Sequence, residues 1–341
     1  MMTYPDEGEI MSHRGSSGPP AIEAIGLTKM FGRSENRTAA VDNVDLIVPA
    51  GGVYAVLGTN GAGKTTTVRM LATLLRPDAG TARIFGADVV RQATSVRAMI
   101  GVTGQYASVD EDLTATENLV VFGRLIGSSK RAARARAHDL LDEFGLTGAA
   151  DRPIRHFSGG MRRRLDLAAS MITRPRLLFL DEPTTGLDPR TRSQMWNTVR
   201  QLVSAGSTVL LTTQYLDEAD ELADHVAVMD RGKVVADGTV DELKAKVGDT
   251  RAVISVADAG RLADAGTLCS AFASAEVIVA GPDLKVVVPL PDVDRLPELL
   301  LALRERTIAY TGVNVEKPSL DEVFFELTEG APAAESGEEA A

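Results

Sequence analysis

An α/β fold followed by a smaller α+β unit is the prediction of this sequence, and three observations carry it. The apolar, β-prone run Val53–Leu57 leads into the glycine-rich stretch Gly58–Thr66, and Val68–Leu75 then reads as a helix. Two further stretches, the apolar run Leu177–Leu180 and Thr208–Gln214, read as buried strands, the pattern of a parallel sheet. Residues 250–328 read in the order β-α-β-β-α-β, which suggests a small ferredoxin-like unit.

The glycine-rich stretch Gly58-Thr59-Asn60-Gly61-Ala62-Gly63-Lys64-Thr65-Thr66 fits the P-loop pattern of a glycine, four residues, then Gly-Lys-Thr. Its glycines let backbone N–H groups converge on one point, and the following helix adds its positive end. Lys64 is expected to reach the β- and γ-phosphates and Thr65 to hold Mg²⁺.

Residues 21–57 alternate as two or three strands, such as Ala21–Leu27 and Val44–Val48, with Phe31-Gly32 in the loop between them. Two roles fit Phe31: stacking on a nucleotide base, worth ~1–3 kcal/mol, or a minor place in the core. Gly80–Gly86 and Ile100–Gln105 read as short strands, the second ending on Gln105, where ligands gather in α/β folds. Residues 114–150 are rich in Ala, Arg, Leu and Glu at helical spacing and read as a helical insertion running through Ala132–Phe144. Ser158 is the expected N-cap of a helix Met161–Ile172, so Ser158-Gly159-Gly160 forms a second anion-binding helix start. Arg162, Arg163 and Arg164 fit either a phosphate or protein contact or a solvated basic face.

The strand after Arg176 closes on Asp181 and Glu182. Alternation along a strand sends the two carboxylates different ways. Asp181 is expected to support the Mg²⁺ held by Thr65, and Glu182 to orient and deprotonate a water. Thr185–Pro189 is a tight turn, Thr191–Ala205 a helix, and Tyr215–Ala223 an acidic helix. His225–Asp230 and Lys233–Gly238 form a hairpin around Arg231-Gly232. Residues 1–20 and 329–341 read as disordered tails.

Composition narrows the function classes. Hydrophobic residues make up 44%, enough for a sizeable core. With 47 acids against 36 bases the formal net charge is −11, which disfavours a nucleic-acid partner. Cys269 is the sole cysteine, so no intrachain disulfide forms. No apolar run approaches the ~20 residues of a membrane-spanning helix, and Met1–Pro20 has no signal-peptide character. Any membrane role is therefore expected to run through a partner.

Across about residues 21–245 the motifs, in this order, strongly resemble the ATP-binding subunit of ABC transporters. Gly58–Thr66 resembles its Walker A, Gln105 its Q-loop, Phe157–Met161 its signature, Leu177–Glu182 its Walker B and Thr185–Asp188 its D-loop. Phe31 sits where the family has an adenine-stacking aromatic. Ser158–Asp166, Thr212–Ala219 and Pro318–Phe324 look like the daunorubicin-resistance exporter branch. Thr59 replaces the common proline, Met161 the common glutamine, and Gln214 the usual switch histidine. A glutamine can hydrogen-bond a γ-phosphate but cannot carry a proton, which leaves Glu182 as the only credible base.

The resemblance implies a P-loop NTPase: a RecA-like core, an antiparallel β subdomain and a helical subdomain over about 106–170, with an α+β domain at 250–328. It implies ATP and Mg²⁺ as cofactors. Walker A, Phe31, Gln105, Asp188 and Ser158–Gly160 would bind nucleotide. Thr65, Gln105 and Asp181 would hold the metal, and Glu182, Gln214 and Lys64 would serve catalysis. It also implies a homodimer in which the signature of one copy closes on the γ-phosphate of the other, an ABC-2-type permease as partner, and a peripheral place on the cytoplasmic membrane face. Export of drugs or other amphiphiles is expected. A soluble ABC ATPase of translation or DNA repair is the alternative, as is an importer ATPase with a regulatory tail. The C-terminal unit fits dimerisation, regulation or bare packing.

Overall fold

The computed structural model describes residues 18–33, 37–104, 108–247 and 250–329. The first unit begins with an antiparallel sheet. Strands β1 (Ile22–Phe31), β2 (Thr38–Val48), β4 (Ala79–Ile84) and β5 (Ala87–Asp88) align as β2-β1-β4-β5. β1 runs further than the alternation pattern reaches, so Phe31 closes a strand instead of sitting in a loop.

Between these lies β3 (Val53–Leu57), followed by α1 (Lys64–Leu71), α2 (Ala93–Met99) and β6 (Ile100–Thr103). Helices α3 (Ala115–Leu125) and α4 (Lys130–Glu143) form the insertion, and α5 (Gly159–Ser170) returns the chain to β7 (Leu177–Asp181), α6 (Pro189–Ser204) and β8 (Thr208–Thr213). In the sheet order β10-β9-β3-β8-β7-β6, the last four strands are parallel neighbours. All residues of β3, β7 and β8 are buried, as continuous apolar strings require when helices cover both faces.

Helix starts follow the sequence. Thr114 and Glu117 form a reciprocal capping box on α3. Ser129, Ser158 and Asp188 cap α4, α5 and α6 through their side chains, and Pro189 opens α6. α1 starts at Lys64, four residues before the helix predicted from the apolar pattern, because its first turn is built from P-loop residues.

The chain divides into two compact units. One ends at Gln214 and takes back Met229–Val234; the other holds Tyr215–Val228 and everything from Val235 on. The sequence reading places the cassette at 21–245 and the C-terminal unit at 250–328. The second unit holds α7 (Leu216–Leu222), α8 (Val240–Val247) and α11 (Leu320–Glu329), and α11 packs on both of the others. The hairpin β9 (His225–Asp230) and β10 (Lys233–Thr239) straddles the division.

Within the second unit, β11 (Arg251–Val256), α9 (Leu262–Cys269), β12 (Ile278–Ala280), β13 (Lys285–Pro289), α10 (Leu296–Glu305) and β14 (Tyr310–Glu316) follow one another. The sheet order is β12-β13-β11-β14, antiparallel throughout. Ile254, Val286, Val288, Leu299, Leu303 and Cys269 fill its core.

Two outcomes test this packing. A Cβ on Gly160 would lie 2.2 Å from Cγ2 of Thr191, so α5 and α6 meet at a contact only glycine allows. Gly160→Ala is expected to cost about 1–3 kcal/mol in chemical denaturation, and Thr191→Ser in the same chain to recover at least half of it. Cys269 is fully buried, and burial pushes its thiol up to about 11. Iodoacetamide at pH 8 should leave it unmodified in the native protein and label it once the C-terminal unit unfolds.

Candidate functional site

The parallel register decides the site. Leu57 pairs with Thr213 and Asp181 with Thr212, so β3, β7 and β8 end together. Gly58, Glu182 and Gln214 each follow one of these strand ends, although the sequence spreads them over more than 150 positions. The N–H of Gly58 donates to the carbonyl of Thr213 at 3.3 Å, tying the P-loop to the strand that ends beside Gln214.

Gly63 caps α1 at φ 106°, and a Cβ there would lie 2.4 Å from the carbonyl oxygen of Ala40. Lys64 follows it, buried, and its Nζ donates to the carbonyls of Gly58 at 2.7 Å and Thr59 at 3.0 Å. The same ammonium lies 3.6 Å from Oε1 of Glu182. Burial lowers the Lys64 pKa, and the charges of Glu182 and Asp181 work against that shift.

Asp181 is held by two hydroxyls. Oγ1 of Thr65 donates to its Oδ1 at 3.1 Å, and Oγ1 of Thr212 donates to the same oxygen. Glu182 departs from the expected strand alternation. Its φ is 49°, a left-handed conformation that costs an L-residue free energy and recurs at functional sites. The two carboxylates are thus separated by a backbone turn, not by strand pleating. The Glu182 N–H donates to the carbonyl of Thr212 at 3.0 Å, and Thr185 Oγ1 donates to Glu182 Oε2 at 3.3 Å.

The remaining expected residues make local contacts of their own. Phe31 stays 47% exposed, and the Lys29 ammonium lies 5.8 Å from its ring centroid. Its exposure separates it from the core and leaves a face for stacking. Ser158 Oγ accepts from the Met161 N–H at 3.3 Å, so its side chain caps α5. Asp188 accepts from the N–H and hydroxyl of Thr191, and these bonds lower its pKa. Among these interactions Asp188 acts as a helix cap. Asn60, Gly61, Ala62 and Thr66 lie in the same loop and first turn as Lys64 and Thr65. Gln105 lies outside the described residues.

The three arginines after the signature glycines are neither a solvated face nor a shared patch. Arg162 pairs with Glu111 at 2.6 Å, and Arg164 donates to the carbonyl of Phe144 at 3.2 Å. Arg163 is buried and donates to the carbonyls of Gly104, Asp181, Glu182 and Pro183. Sequence reading could not separate the three, because helical periodicity gives only direction and not what lies opposite. Asp166, one turn on, accepts from the Ser108 N–H at 2.8 Å, and burial pushes its carboxyl above the usual carboxylate range.

The start of α1 and the Lys64 ammonium offer N–H donors that suit phosphate binding, and the Glu182 carboxylate beside them, on its left-handed backbone turn, suits activation of a water.

Comparison with known proteins agrees. A family model described as ABC transporter matches residues 41–185, and one described as the C-terminal domain of DrrA1-3-like ATP-binding proteins matches 238–328. The daunorubicin/doxorubicin resistance ATP-binding protein DrrA of Streptomyces peucetius is 54% identical over 94% of this chain and 96% of its own. The doxorubicin resistance ATP-binding protein DrrA of Mycobacterium tuberculosis is 44% identical over 90% and 93%. A Nod factor export ATP-binding protein I of Burkholderia lata is 39% identical over 90% and 96%. Among solved structures, a dimeric post-hydrolysis ATP-binding cassette with ADP and Pi superposes at TM-score 0.59, covering 64% of this chain and 98% of its own at 24% identity. An ATP-binding subunit of an ABC transporter does so at 0.58, covering 66% and 92% at 27% identity. Identity of this extent across both cassette and C-terminal unit means that the chain belongs to the ATP-binding subunits of ABC transporters, in the daunorubicin/doxorubicin-resistance family, and is an ATPase.

Proposed function

We propose that this ATPase energises the export of drugs, antibiotics or related amphiphilic molecules through a separate membrane permease of ABC-2 type. The observation that carries the catalytic part is the joint at the ends of β3 and β7. There the Lys64 ammonium lies 3.6 Å from Oε1 of Glu182, and the hydroxyl of Thr65 donates to Oδ1 of Asp181 at 3.1 Å. The cargo class rests on the similarity to drug-resistance subunits, and the Nod factor export relative extends it to other amphiphiles. Among the described residues no helix is long and apolar enough to cross a membrane, and in this reading the subunit sits peripherally on the cytoplasmic face, beside its permease.

In this reading the P-loop amides and Lys64 hold the β- and γ-phosphates, and Phe31 stacks on the base. Mg²⁺ fits the hydroxyl of Thr65 and the carboxylate of Asp181, an all-oxygen pair that leaves the other ligands to phosphates and water. When bound, the ion neutralises phosphate charge. Glu182 takes the proton of the attacking water, and Gln214 hydrogen-bonds the γ-phosphate without accepting a proton. Gln105 and Asp188 complete the nucleotide contacts.

Two copies close face to face. In this reading, Ser158, Gly159 and Gly160 of one reach the γ-phosphate held by the other, and each copy gives the same two patches, as a two-fold interface requires. Gly160 has a reason of its own to be glycine, its contact with Thr191, whereas a Cβ on Gly159 would meet nothing nearer than 3.9 Å. Gly159 is therefore the glycine whose small size serves the partner. The C-terminal unit, with its own core, serves dimerisation or regulation.

Glu182→Gln is expected to lower ATP turnover by at least ~10²-fold and to accumulate an ATP-bound dimer in size-exclusion chromatography. Normal turnover would overturn the base assignment. Gln214→His should leave ATP affinity unchanged in a fluorescent-nucleotide titration, and a large loss of affinity would remove Gln214 from its γ-phosphate role.

A further inference from the structure

We infer that Arg163 is the positioning residue for hydrolysis: its guanidinium fixes the main chain around Glu182 and ties it to the signature helix. The inference rests on the reading of Glu182 as the base. Arg163 lies on α5, five residues after the cap Ser158, and is buried. Nε donates to the carbonyl of Pro183 at 2.9 Å, while Nη2 donates to those of Asp181 at 3.1 Å and Glu182 at 3.0 Å. Nη1 donates to the carbonyl of Gly104 at 2.7 Å. Three consecutive carbonyls thus converge on one fork.

Those carbonyls turn inward because Glu182 stands at φ 49°. A left-handed glutamate persists only where its surroundings over-determine it. The carbonyls at the turn would be costly to bury without donors, and a guanidinium supplies five N–H groups in one rigid plane. Lysine offers three donors around a point and no fork, so it cannot serve the same set at once. Asp166 stands 3.9 Å from Nη1 and accepts from the Ser108 N–H, holding the guanidinium's charge in place from the same helix.

The function follows from what is joined. Ser158–Gly160 open α5, and Arg163 sits one turn further on the same rigid element. Displacement of the signature end moves the fork, and the fork moves the backbone that aims Glu182. Engagement of the signature by a partner's γ-phosphate is thereby linked to the base of the same subunit.

Steady-state ATPase assays on Arg163→Lys test this. kcat should fall at least tenfold with KM and ATP affinity unchanged, while Arg162→Gln, which removes a charge from the same helix, leaves kcat within twofold. In the Glu182→Gln chain, Arg163→Lys should lower residual turnover less than twofold, since both changes remove one function. A tenfold loss in both backgrounds, a changed KM with normal kcat, or normal turnover overturns the inference. Normal turnover of Glu182→Gln itself would instead overturn the base assignment. Should Arg163→Lys fail to fold, Asp166→Asn keeps the fork and must give the same kcat-only loss, smaller in size; unchanged kcat would overturn the inference.

Discussion

Three strands buried on both faces, β3, β7 and β8, end side by side, and the chemistry of the cassette depends on that alignment. Their apolar strings have no solvent face to slide toward, and a slip of one residue would point every side chain to the opposite layer. With the register fixed, the loops after the three strands share one edge. The P-loop, the carboxylate pair and Gln214 meet there because each is the first group beyond a strand that cannot move. Ligand sites at the carboxyl ends of parallel strands follow the same logic in other open α/β sheets.

Around this edge the polar groups are not independent. Thr65 and Thr212 hold one oxygen of Asp181, Lys64 reaches both P-loop carbonyls and Glu182, and Arg163 gathers the carbonyls of the turn. All but the half-buried Thr65 are buried, where an unpaired donor or acceptor would be expensive, so the cluster stands or falls together. A chain of contacts also runs outward. Asp188 binds Thr191, and Thr191 packs on Gly160, which joins the D-loop to the signature helix by van der Waals contact and not by charge.

Much of this was legible in the sequence. The P-loop, the acidic strand end and Ser158 as a cap are local patterns, because a strand, a turn or a first helical turn is decided by a few neighbouring residues. The antiparallel order of the C-terminal sheet likewise follows the β-α-β-β-α-β reading. Phe31 was ambiguous because its exposure depends on how far β1 extends, and that depends on pairing with β2. The resemblance runs to about residue 245, and α11, at Leu320–Glu329, packs on α7 and α8, a contact that no local pattern in the sequence announces.

By itself the sequence determined the α/β class, the phosphate-binding loop, the two carboxylates and the family, since these rest on residue types at fixed short spacings. Only the tertiary structure decided three things. Glu182 leaves the strand in a left-handed turn, Asp188 spends its side chain on a helix cap, and the three successive arginines take three unrelated sets of partners. Periodicity places side chains on a face, but the partner across that face comes from segments 18 to 59 residues away, brought close by the sheet register. The P-loop that opens the story is therefore written in nine consecutive residues, while the turn that aims the base against it is written nowhere in one place.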